Sequence, residues 1–313
     1  MMQDFIWIIS GLLLWILGAY WLLIGAKGLS LKFNISGMVL GMTLVSLVTS
    51  IPELLLGIRT VADGMSDLAL KSVMGSNGAN LGLLLAGVLV VFRMGIEKDS
   101  YIVQWGAMML ATTLFFGYIY FDGEIQRYEG FFMLVVLFLI LVYLLWFQKK
   151  SEAPLRPLEG EVLPLYAMVL FIGLGGFALW CGSVILLDNV LGSVALDVIG
   201  RRNWMIGLLS VGLAIPELLV AIIAIIKNEK SILLGNLIGA CMFNLLGVFG
   251  VSARIRSIKV MDYELLANDL LWVMGMSFLL FPLLFFSKGS QLKWEGGAVL
   301  LGIYFVYVYF TFI

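Results

Sequence analysis

The sequence predicts an all-α membrane protein of ten transmembrane helices, arranged as two inverted five-helix repeats. Three observations predict it. Of 313 residues, 62% are hydrophobic and 12% charged, against about 25% charged in ordinary soluble domains. Mean hydropathy is +1.07, more apolar surface than a soluble fold can hide. Ten apolar runs lie at roughly 5–25, 35–58, 68–92, 101–120, 129–147, 163–187, 203–226, 231–250, 268–286 and 295–312, each close to the ~20 residues that cross hydrocarbon. Finally, the chain matches itself when shifted by 164 positions, the distance from Glu53 to Glu217.

The first run has no basic segment ahead of it and no small-residue cleavage site, so it reads as a retained span. All the runs are apolar all round. Transmembrane strands would alternate apolar and polar, so helices are expected. The longest polar break is 148–162, QKKSEAPLRPLEGEV, with Pro154 and Pro157, and it reads as a short linker. It leaves a first five-helix repeat at 1–147 and a second at 163–313. An odd number of spans per half requires that related halves be inverted in the membrane. Lysine and arginine are more frequent in the loops on the linker's side. That places the linker in the cytoplasm and both termini outside a multi-pass cell membrane protein. Gly173, Gly175 and Gly176 in the sixth span are expected to permit close helix packing. Asp188, Asp197 and Asp269 are expected near span ends, where water is available.

Composition also excludes functions. There are no histidines, hence no imidazole zinc site and no histidine proton relay. Net charge is −1, with no basic excess for nucleic acid. Cys181 and Cys241 read as small buried hydrophobes. No H-E-x-x-H and no nucleophile–base pair is present, so no enzyme and no cofactor are expected. The expected partners are the lipid bilayer and inorganic cations, with no oligomer required.

The shift lays Ser50-Ile51-Pro52-Glu53-Leu54-Leu55 over Ala214-Ile215-Pro216-Glu217-Leu218-Leu219, Gly75 over Gly239 and Asn80 over Asn244. Glutamate to asparagine is 80 − 53 = 27 in one half and 244 − 217 = 27 in the other. Interrupted helices at matching places in two inverted halves point to a transporter's binding site. An ionised side chain at mid-bilayer costs at least ~2.5 kcal/mol. The sequence places Glu53 and Glu217 well inside spans and counts the basic residues, Lys71 among them, to the loops, so no lysine or arginine is expected to neutralise the two acids. Their partner is then a bound cation or a proton.

Proline lacks an N–H and clashes with the carbonyl four residues earlier. Pro52 and Pro216 therefore free the carbonyls of Val48 and Gly212, hard oxygen ligands that suit Ca²⁺ or Na⁺. Thr49 and Ser50 precede Glu53 by four and three residues and share its face, and Ser46 extends the stripe. Ser72, Ser76 and Asn80 are spaced by four on one face of the third span. Ser46 and Ser72 read as helix–helix contacts; Thr49, Ser50, Ser76 and Asn80 read as ligands.

The run Thr49-Ser50-Ile51-Pro52-Glu53-Leu54, followed by Gly75-Ser76-Asn77-Gly78-Ala79-Asn80, resembles the first α-repeat of the cation/Ca²⁺ exchanger superfamily. The segments 212–218 and 235–244 are similar to its second α-repeat. The matched regions are 43–86 and 207–250, and the short linker resembles that of the short prokaryotic sodium/calcium antiporters. The resemblance implies alternating access with a midplane site between the repeats. It implies ion ligation by Thr49, Ser50, Glu53, Ser76 and Asn80 in the first half, and by Glu217 and Asn244 in the second.

The chain departs from the family pattern at Leu213, Ala214 and Ala240, where hydroxyls are expected, and at Cys241, where asparagine is. Lys71 and Ser72 replace the usual Gly-Asn, and the second half lacks two residues ahead of its motif. The expectation is an antiporter of Ca²⁺ against fewer Na⁺, or against H⁺. Two carboxylates sharing a dry site cannot both ionise freely without a cation. The alternative is a non-transporting scaffold or ion sensor that keeps the fold.

Overall fold

The computed structural model describes residues 2–92, 94–95, 98–147, 163–198, 203–260, 263–285, 291–292 and 294–312. The linker segment 148–162 lies outside the described residues, as do Arg201 and Arg202. The helices are α1 Met2–Phe33, α2 Gly37–Thr49, α3 Ile51–Ala62, α4 Ser66–Val91, α5 Lys98–Asp122 and α6 Arg127–Phe147. They continue as α7 Leu165–Val198, α8 Asn203–Leu213, α9 Ile215–Ile226, α10 Lys230–Ile255, α11 Tyr263–Phe285 and α12 Trp294–Phe312.

Among the described residues, eight helical segments are long and apolar enough to cross a membrane, and the bent pair α2–α3 makes a ninth. At the ninth expected span lies α11, a 23-residue helix that includes the apolar stretch Asp269–Leu283. The protein is therefore a helical membrane protein. Its outer helices turn large apolar side chains outward: Phe121, Trp146 and Ile226 are 81%, 84% and 75% exposed. Such a surface suits lipid rather than water.

Helices α4 and α10 form the centre. α10 packs on α2, α3 and α6, and α4 packs on α8, α11 and α12. The approach of α10 to α2 is set by absent side chains. A Cβ on Gly41 would strike the backbone of Ile232 and Asn236, and one on Gly239 would strike the backbone of Met42. At the periphery α1 and α7 pack along their length, with Gly18 against Gly175 and Gly182 against Gly11 and Trp15. The expectation for the sixth span holds at Gly175. Gly176 only touches Val48, and Gly173 faces open space.

The 164-residue shift recurs in the backbone. Ser50 (φ −78°, ψ 10°) and Ala214 (φ −78°, ψ 1°) make the same break. Met65 and Glu229 cap α4 and α10 with the same ψ of 54°. Gly64 and Asn228 both take positive φ just before. A π-helical turn follows in each, Ala79–Leu85 and Phe243–Val248. The halves differ ahead of the break. α2 contains a further π turn, Gly41–Val45, and α8 has none. A π turn accommodates an inserted residue, which takes up part of the two-residue difference in length.

Among the described residues, four two-residue strands form two short ribbons. β1 Met94–Gly95 pairs antiparallel with β4 Gln291–Leu292, and β2 Glu124–Ile125 with β3 Ile258–Lys259.

Candidate cation-binding site

The site begins at the two breaks. Pro52 and Pro216 sit in the first turns of α3 and α9, where a missing N–H costs nothing. α2 and α3 meet at 45°. Glu53 and Glu217 follow in the same first turns, at the positive ends of their helices. Both are fully buried, and their charges are close enough to repel one another. Among the described residues neither has a lysine or arginine at ion-pair distance; the ion pairs are Lys27–Glu229, Arg59–Asp188 and Lys259–Glu124.

The surrounding groups come from α2, α4 and α10. Ser76 donates to Glu53 Oε1 at 2.8 Å. The Thr49 hydroxyl lies 3.1 Å from Asn236 Oδ1 and 3.3 Å from the Ser46 carbonyl. Thr49 and Asn244 lie buried in the same cluster as the two carboxylates, and each is hydrogen-bonded to an asparagine of the other half. Asn77 Nδ2 donates to the Cys241 carbonyl at 3.3 Å, and Cys241 Sγ approaches the Asn77 carbonyl at 3.9 Å. Asn244 Nδ2 donates to Asn77 Oδ1 at 2.9 Å.

Many buried polar atoms here have no hydrogen-bond partner: Ser50 Oγ, Glu53 Oε2, both Glu217 oxygens, Ser72 Oγ, both Asn80 side-chain polar atoms, Asn236 Nδ2 and Asn244 Oδ1. Buried polar groups are ordinarily satisfied, so such a concentration of bare oxygens is a cradle for a cation. Among the described residues no group of three or more His, Cys, Asp or Glu could hold a metal. A cation here would rest on two carboxylates and neutral oxygens, a donor set suited to hard ions.

The bare atoms follow from the sequence departures. Ala240 stands where Ser76 would have its mate, so Glu217 lacks the hydrogen bond that Glu53 has. Leu213 is the mate of Thr49, so Ser72 lacks what Asn236 receives. Cys241 is the mate of Asn77, so Asn80 lacks what Asn244 receives.

Of the expected site residues, Thr49, Ser50, Glu53, Ser76, Asn80, Glu217 and Asn244 are all buried. Val48 and Gly212 are half-buried, just ahead of the breaks. Ser46 donates to the Met42 carbonyl of its own helix, as a packing residue would. One correction arises. Asp269 is not at a wet span end: it is 1% exposed. Lys71, whose charge reaches Asp269, is itself buried within the third span, where the sequence was expected to carry no lysine. Two residues were missed. Asn77 bridges the halves, and Asn236 receives Thr49. The four-residue spacing of Asn236, Ala240 and Asn244, mirroring Ser72, Ser76 and Asn80, was the available signal for Asn236.

The family described as sodium/calcium exchanger protein matches residues 4–146 and 167–313. Inner membrane protein YrbG of Escherichia coli K12 is 27% identical, over 96% of this chain and 94% of its own. Sodium/calcium exchanger MaX1 of Methanosarcina acetivorans is 26% identical, over 99% and 98%. Among solved structures, the sodium-calcium exchanger NCX_Mj, soaked with 2.5 mM Na⁺ and 10 mM Sr²⁺, superposes with a TM-score of 0.77 at 19% identity, over 98% of each chain. That likeness concerns the fold. With two buried carboxylates at duplicated helix breaks and a family match over nearly its whole length, the chain belongs to the sodium/calcium exchanger protein family.

Proposed function

We propose that this chain is a secondary antiporter of the cell membrane that binds Ca²⁺ between Glu53 and Glu217 and exchanges it for Na⁺ or H⁺ by alternating access. One observation carries the reading: two buried carboxylates share a site with no basic partner among the described residues and with bare oxygens around them. The ligands are Glu53, Glu217, Thr49, Ser50, Ser76, Asn80 and Asn244, with the carbonyls of Val48 and Gly212. The ten spans form two inverted five-helix repeats, the linker is cytoplasmic and both termini are outside.

The coupling ion follows from the asymmetry. Around Glu53 a hydroxyl is present at Ser76, and around Glu217 its mate is Ala240. A monovalent ion on the Glu217 side finds fewer oxygens to replace its water, so fewer Na⁺ are coupled or a proton takes that role. No covalent chemistry and no cofactor are involved; Ca²⁺, Na⁺ and H⁺ are cargo.

Reconstitution in liposomes tests this. Imposed Na⁺ or pH gradients are expected to drive Ca²⁺ flux, and Glu53→Gln to abolish it. Flux that survives this substitution would sink the site assignment. The losses at Leu213, Ala214 and Ala240 favour a second reading, a scaffold or sensor that binds ions without moving them. Equilibrium Ca²⁺ binding with no gradient-driven flux would select it.

A further inference from the structure

A cavity of about 170 Å³ opens between α1, the start of α7 and the end of α9, away from the carboxylates. Its walls are largely apolar, Leu23, Leu31, Leu163 and Ile223 among them, and its two charged lining groups are both lysines, Lys27 and Lys227. Lys27 is ion-paired with Glu229. Lys227 caps the C-terminal end of α9, with its ammonium over the Tyr20 ring, 5.2 Å from the centroid. Among the described residues no carboxylate pairs with Lys227. The ends of α1 and α9 and the start of α10 carry Lys27, Lys32, Lys227 and Lys230 against one acid, Glu229. Beside Lys227, Ile226 is exposed, as a side chain facing lipid would be.

We propose that this cavity binds one anionic phospholipid of the adjoining leaflet. An acyl chain lies along the apolar walls, and the phosphate sits between Lys27 and Lys227. The walls argue against a water-soluble anion, which would gain nothing from Leu23, Leu31 and Ile223. The charge of Lys227, which pairs with no carboxylate among the described residues, argues against a zwitterionic lipid, whose own cation would meet it. Basic pockets between spanning helices, where acyl chain and headgroup are held together, have this chemistry. The occupant would bridge α1 to α9, the helix that carries Glu217 in its first turn.

The test is native mass spectrometry of the full chain released from nanodiscs of equal phosphatidylcholine and phosphatidylglycerol. Retention of phosphatidylglycerol over phosphatidylcholine is expected. Lys227→Gln is expected to lower that preference about fivefold, the worth of one lysine at an anionic surface. Ile223→Trp fills the cavity with both lysines in place and is expected to lose the lipid too. Lys32→Gln, outside the lining, controls for general surface charge. Equal retention of the two lipids by the unaltered chain overturns the proposal. So does full preference in either cavity variant, or a loss in Lys32→Gln equal to that in Lys227→Gln. Displacement of the lipid by excess inorganic phosphate would assign the lysines to a free anion and overturn it as well. None of these readouts depends on ion transport.

Discussion

At the scale of single residues, the two halves of the site differ by a few oxygen atoms. Ser76 bonds Glu53, and its mate Ala240 gives Glu217 nothing. Ala240→Ser is therefore expected to add one hydrogen bond to a carboxylate, worth about 1.5–3 kcal/mol. Two measurements check it: the thermal unfolding temperature without Ca²⁺ should rise, and the number of Na⁺ exchanged per Ca²⁺ should not fall. An unchanged unfolding temperature would mean that the serine does not reach Glu217. The positions of Glu53 and Glu217 were legible in the sequence because proline fixes a helix break and the covalent spacing repeats it. The side chains that meet each carboxylate were not. Thr49 donates to Asn236, 187 residues away, a contact decided by how α2 lies on α10, which no local pattern encodes. Asp269 and Lys71 were misplaced for a related reason. Distance from a span's end says little about water when neighbouring helices cover that end.

At the scale of helices, packing depends on side chains that are missing. α2 and α10 approach until Gly41 meets the backbone of Ile232 and Asn236, and this contact holds Thr49 against Asn236. Gly41→Val is expected to force the helices apart and cost about 1–3 kcal/mol or more, seen as loss of monodisperse protein in detergent. Gly173→Ala, where nothing stands within 4 Å, is expected to change nothing in the same assay. Equal behaviour of the two variants would remove close packing as the cause. The helices themselves were legible from their length and apolarity. Their interruptions were legible only in part. Proline announces the breaks at Ser50 and Ala214, whereas nothing local distinguishes the π turns at Gly41–Val45, Ala79–Leu85 and Phe243–Val248 from ordinary helix.

At the scale of the molecule, the short strands tie together segments far apart in the chain. Each ribbon takes one strand from before the linker and one from after it: β1 with β4, and β2 with β3. The central helices do the same, α10 lying on α2 and α3 and α4 lying on α8. Neither half can bury its own interior alone. Cutting the chain within 148–162 should then leave two fragments that are insoluble when produced singly and that purify as one complex when made together. If either piece alone gave a monodisperse species, the two halves would be self-sufficient. What looks in sequence like an ancient doubling would thus behave in the cell as an obligate partnership, in which each copy supplies the mould for the other.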